Sequence, residues 1–175
     1  MRKIEKGFTL VELLVVIAIV AILAAVVVLI IDPLELTRRG RDATRLSDLS
    51  SLQQAINVTM QEEAGTTGLV CPAGTTVYPC TAKSNNTTDA NNRKSDGTGW
   101  VRINLSGQPV SLSILPVDPT NSATLYYEYG GNASDQYELN AILESTQYST
   151  KMTNSTGDGG DDDARYEVGS NLDIL

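Results

Sequence analysis

Residues 8–31 form a 24-residue stretch in which Thr9 and Glu12 are the sole polar side chains, and from residue 13 to residue 31 the apolar run is unbroken. As an α-helix this stretch rises roughly 36 Å, against about 30 Å for the hydrocarbon core of a bilayer. The pattern predicts a membrane-inserted helix. A secretory signal peptide is the competing pattern, but its apolar region is shorter, roughly 7–15 residues, and ends at a small-residue cleavage site. Here the run continues through Val26-Val27-Val28-Leu29-Ile30-Ile31 with no such break. Arg2, Lys3 and Lys6 precede it, against Glu5. Flanking positive charge stays on the cytoplasmic side, which places residue 32 onward outside.

Glu12 is the anomaly in this helix. An acidic residue at the centre of a membrane helix costs on the order of 3 kcal/mol, less near an end. One reading is a carboxylate that reaches the cytoplasmic interface. The other requires a cation within the layer. If the chain were cut before Phe8, the new α-amine would lie four residues from Glu12, one helical turn away in the same chain or in a neighbour. Amine and carboxylate attract strongly in low dielectric.

The string Lys6-Gly7-Phe8-Thr9-Leu10-Val11-Glu12-Leu13-Leu14 resembles the class III leader and methylation motif of type IV prepilins and type II secretion pseudopilins. A short basic leader ends in Gly, followed by Phe, Thr, Leu, an apolar residue and Glu ahead of an apolar run. The resemblance implies cleavage between Gly7 and Phe8 by a prepilin peptidase, N-methylation of Phe8, and pairing of Glu12 with the Phe8 amine of an adjacent subunit during assembly. It covers residues 1 to about 60; beyond that it rests on the order of elements.

Asp32-Pro33-Leu34-Glu35 reads as a helix start, with Asp as N-cap, Pro at the first helical position and Glu three residues after the cap. A proline kink within one long helix is the alternative. Leu46, Leu49, Leu52, Ile56 and Met60 follow helical spacing and mark the face that a globular head would cover. Arg38, Arg39, Arg41, Asp42 and Asp48 are assigned to the opposite, solvated side. Gly65 is expected to end the helix. The organisation expected is a leader at 1–7, a membrane and assembly helix at 8–31, an amphipathic helix at 32–64 and a head at 65–175.

Residues 65–99 are rich in Gly, Ser, Thr, Asn and Pro and read as a long loop. Cys71 and Cys80, an isolated pair in an exported domain, are expected to form a disulfide across it. Asn85-Asn86-Thr87-Thr88 reads as an exposed tip. Strands are expected at 100–105, 125–129 and 137–143, the last two joined as an antiparallel hairpin through Gly130-Gly131-Asn132. The tyrosines of these strands read as one half-buried sheet face. Leu115-Pro116-Val117-Asp118-Pro119-Thr120-Asn121 is a rigid connector that resembles the Asp-Pro element before the sheet in major pseudopilins.

A run of carboxylates and glycines, Asn154-Ser155-Thr156-Gly157-Asp158-Gly159-Gly160-Asp161-Asp162-Asp163, has the oxygen donors a hard cation such as calcium takes. A solvated acidic loop is the competing reading. Major pseudopilins carry calcium in a C-terminal loop of this kind, so the resemblance implies Asp158, Asp161, Asp162 and Asp163 as ligands. No other cofactor is required.

Composition narrows the function further. Removing the three leader cations and Glu5 from the 13 basic and 21 acidic residues leaves a formal charge of −10. That sign argues against a nucleic-acid surface. There is no histidine, which takes away the commonest general base and metal ligand, and no Gly-rich phosphate loop follows a strand. The expected fold is α+β, a long N-terminal helix against a small antiparallel sheet, and the expected role is structural rather than enzymatic. The resemblance implies a homopolymeric filament that starts in the inner (cytoplasmic) membrane and ends as an extracellular or periplasmic fibre, surface pilus or secretion pseudopilus. It also implies an assembly platform and a cytoplasmic ATPase to extract the subunit. A monomeric membrane-anchored binding module is the alternative from another class.

Overall fold

The computed structural model describes residues 7–110, 112–153 and 158–175. The leader residues Arg2, Lys3, Glu5 and Lys6, and the loop residues Asn154, Ser155, Thr156 and Gly157, lie outside the described residues. The chain divides into two compact units, one ending at Thr37 and the other spanning Arg38–Leu175.

In the first unit, helix α1 runs Leu10–Ile31. Its described apolar side chains are exposed all round, and by length and composition it can cross a membrane. It ends at Asp32, whose left-handed backbone (φ 43°) breaks the helical path. Helix α2, Pro33–Glu62, starts directly after, and the Asp32 Oδ1 accepts the Glu35 N–H at 3.2 Å. The cap and the break expected as alternatives are thus one feature.

The second unit packs a four-stranded antiparallel sheet against α2. The strands are β1 (Cys80–Lys83), β2 (Glu128–Gly131), β3 (Tyr137–Ala141) and β4 (Tyr166–Gly169), in spatial order β1-β2-β3-β4. This is the α+β fold expected. Leu49, Leu52 and Ile56 of α2 are fully buried and Met60 packs against them, whereas Leu46 is half-buried. The facing sheet surface is aromatic: Tyr127, Tyr129 and Tyr137 are fully buried. Their hydroxyls are satisfied from the helix and the loop. Tyr127 donates to Asp48 at 2.8 Å, Tyr137 to Asn57 at 2.8 Å, and Tyr129 to the Val70 carbonyl. Buried tyrosines need such partners, so these bonds fix the angle at which helix and sheet meet.

Several expectations about this unit change. Asp42 and Asp48 do not face solvent: Asp42 is fully buried and Asp48 is half-buried under Tyr127. Seven residues separate Asp42 from Leu49, which is nearly two turns, so both project from the same stripe. Residues 100–105 are not a strand. Trp100, Val101, Ile103 and Leu105 are buried, but the backbone here is bent and bonds locally, with the Trp100 N–H on the Asn92 carbonyl (2.9 Å) and the Leu105 N–H on the Ser95 carbonyl (2.7 Å). Strands β1 and β4 fall where no strand was expected. The hairpin is present with β2 starting at Glu128 and β3 ending at Ala141.

Cys71 and Cys80 form the expected disulfide. It lies on β2, where Gly131 leaves room: a Cβ there would sit 3.1 Å from both sulfurs and 2.9 Å from the Val70 carbonyl oxygen. Asp135 in the hairpin turn accepts the N–H groups of Gly68 and Leu69 at 2.8 and 2.7 Å, so loop and hairpin are tied at two points.

The polar end of the core is an ion network centred on Arg45, which is fully buried. Its guanidinium bonds Asp118 at 2.6 and 3.0 Å, Asp42 at 2.8 Å and Glu144 at 2.7 Å. Arg41 adds a bidentate pair to Glu144 at 2.7 and 2.8 Å, and this pair holds the Glu144 carboxyl down to about 2. Asp42 also accepts the Glu144 and Ser145 N–H groups, and Asp118 those of Thr120 and Asn121. One buried cation therefore joins α2, the 115–121 connector and the segment after β3.

Candidate functional site

The processing motif occupies the start of α1. Gly7 and Phe8 are exposed and precede the helix in non-helical backbone, and Phe8 keeps 79% of its surface free. A Cβ added at Gly7 would meet no described atom within 4 Å. Among the described residues, nothing packs against Gly7.

Thr9 is the N-cap of α1, and it engages Glu12. The Glu12 Oε2 accepts the Thr9 N–H at 2.9 Å and the Thr9 hydroxyl at 2.7 Å, while the Thr9 Oγ1 accepts the Glu12 N–H at 3.3 Å. This is a full capping box. In the uncut chain Glu12 thus has partners within its own helix start. Attention to the charge of Glu12 left out Thr9, although Thr-x-x-Glu is itself the sequence signature of a capping box.

The carboxylates expected to bind calcium lie at the other end of the chain. Asp158 accepts the Gly160 N–H at 3.2 Å and the Glu167 N–H at 2.7 Å. Asp162 accepts the Ala164 N–H at 2.9 Å and pairs with Arg165 at 3.3 Å. Asp161 and Asp163 are exposed. Among the described residues, no group of three or more Asp, Glu, His or Cys side chains is arranged to hold a metal ion. Beneath this loop, on the outer face of the sheet, Glu138 and Glu167 are buried in contact with each other. Burial, then the Glu138 carboxyl, pushes Glu167 up to about 8. Neither residue was singled out from sequence, since each occupies an alternate strand position normally exposed to solvent.

Residues 2–28 match the family described as the prokaryotic N-terminal methylation motif. No curated protein and no solved structure matches the chain. The basic leader, the exposed Gly7–Phe8 bond, Glu12 and the apolar helix fall together within or beside that match, and the N-terminal segment is the prepilin-type methylation motif of type IV pilins and pseudopilins.

Proposed function

We propose that this chain is the structural subunit of a type IV pilus or a type II secretion pseudopilus, cut before Phe8, methylated there and polymerised through α1. The observation that carries the reading is the match over residues 2–28, set on a helix whose described apolar side chains are exposed on every side. In lipid that surface is solvated and helices have no hydrophobic drive to associate. Outside lipid it must be covered, and the same helix from other copies is a cover of matching length and chemistry. Leaving the bilayer requires work, which a cytoplasmic ATPase acting through a membrane platform supplies. The head stays extracytoplasmic while the leader faces the cytoplasm.

A second reading, a monomeric membrane-anchored module, is favoured by one observation: the capping box gives Glu12 a role within its own chain. Fractionation separates the two. The filament reading expects processed subunit in a sheared fraction that sediments at high speed without detergent. Processed subunit recovered wholly from membranes, and as a monomer after extraction, would support the anchored module.

A further inference from the structure

The outer face of the sheet carries a polar row. Glu128, Asn140 and Glu167 are direct cross-strand partners on β2, β3 and β4, and Glu138 lies two residues before Asn140 on the same face. Glu138 and Asn140 are fully buried and Glu167 is 1% exposed. Two segments cover them. Residues 158–163 form a loop over Glu167: Gly160 presses directly on its side chain, its Oε2 accepts the Asp162 N–H at 3.2 Å, and its own N–H goes to Asp158 at 2.7 Å. Ile174 and Leu175 form a strap over Gly130 and Glu138. A Cβ at Gly130 would sit 2.7 Å from the Leu175 side chain and 3.0 Å from that of Ile174, and Glu138 Oε2 accepts both N–H groups at 2.8 and 3.1 Å.

This cover is held differently from the core. Among the described residues, no apolar side chain beyond Leu143 is fully buried, so loop and strap lack the anchor that apolar burial gives the helix and sheet. Each hangs on one carboxyl instead. The two carboxyls lie within hydrogen-bond reach of each other. One proton shared between them accommodates Glu138 Oε1 and Glu167 Oε1, which have no other partner. The acid pair thereby joins the segments, since Glu167 holds the loop and Glu138 holds the strap. Beside the pair, the Asn140 amide has no partner at Oδ1 or Nδ2. A buried amide left unpaired is costly, and contact with water relieves the cost. Closure therefore carries a standing penalty that opening removes.

We propose that residues 158–163 and the strap Ile174–Leu175 form one cover over the outer face of the sheet, latched through Glu138 and Glu167, which opens as a unit while the core stays folded. Elements with little apolar burial open in this way below the free energy of global unfolding. The open state presents an acidic strip of Glu128, Glu138 and Glu167 to solvent.

The test is residue-resolved amide hydrogen exchange on the full chain in detergent micelles. The Asp162, Ile174 and Leu175 N–H groups are expected to show one common protection, about a hundredfold or more below that of the β2–β3 amides. Two added methyl groups then probe the joint from its two ends. Gly130→Ala pushes on the strap side chains and should speed exchange at Asp162 about tenfold, although it does not touch the loop. Gly160→Ala pushes on Glu167 and should speed exchange at Ile174 and Leu175 to a similar degree, because coupling between two sites is reciprocal. Glu167→Ala should open the strap as well. Glu167→Gln should keep it closed, its amide donating to Glu138 in place of the shared proton. Should Glu167→Ala fail to fold, the two glycine variants decide. Three results overturn the proposal: unequal protection in loop and strap, or protection in both equal to that of the β2–β3 amides; glycine variants that each loosen their own segment alone; or a Glu167→Gln chain as open as Glu167→Ala.

Discussion

Glu12→Gln is expected to abolish filaments while leaving the membrane helix, its insertion and its cleavage intact. The structure makes glutamine the informative replacement. Glutamine at the third helical position completes a capping box as glutamate does, so the Thr9 bonds seen here survive. What disappears is the negative charge. In the assembled bundle the Phe8 amine of a neighbouring subunit then has no partner in low dielectric, at a cost of several kcal/mol for each subunit added. Since 1.4 kcal/mol is a factor of ten in an equilibrium constant, sheared-filament yield should fall at least a hundredfold, with processed subunit at parental levels in the membrane. Glu12→Ala removes cap and charge together and should also lose filaments. Normal filaments from Glu12→Gln would assign Glu12 to capping alone and move the account to the anchored module.

Arg45→Met should destabilise the head by about 3–5 kcal/mol, the usual cost of removing one partner from a buried ion network. For a chain of this size that lowers Tm on the order of 10 °C. Three carboxylates, from Asp42, Asp118 and Glu144, would remain around a missing cation. Arg41→Met should cost less than Arg45→Met, since its pair with Glu144 is partly open to solvent. The network also makes the head sensitive to acid. The carboxyl of Glu144 titrates near 4.5 when unfolded and about 2 when folded. Its contribution is therefore present above pH 4.5 and is lost as pH falls toward 2. A weaker acid sensitivity in Arg41→Met would tie part of it to the Arg41–Glu144 pair, Arg45 holding the rest. An Arg45→Met chain melting within about 3 °C of the parent would show that the network is dispensable.

What the sequence made legible was what depends on spacing along the chain. The apolar run, the Leu49-Leu52-Ile56 stripe and the Cys71–Cys80 pair are all local patterns, and the structure has each of them, as a helix, a buried face and a disulfide. Helical period also fixed Asp42 and Arg45 on the leucine stripe. They were misplaced or passed over because a charge is ordinarily solvated, and the partners that make burial tolerable lie far along the chain: Asp118 is 73 residues from Arg45 and Glu144 is 99. Strand β1 is a four-residue edge in a polar segment, held by pairing with β2 and by the disulfide, and no local signal marks it. Residues 100–105 alternate because alternate side chains are buried, and burial of that kind does not require a ladder. The outer-face trio was hidden for the same reason as Arg45. Glu138, Asn140 and Glu167 occupy positions where polar residues normally meet water, and only the 158–163 loop and the C-terminal residues Ile174 and Leu175 seal them in.

The central claim is that this chain is a prepilin-type precursor, and the mass of its mature N-terminal peptide tests it most directly. The account predicts a peptide that begins at Phe8 and carries one additional methyl group on its α-amine. A chain that still begins with the leader, or one that begins beyond the apolar run, would contradict it.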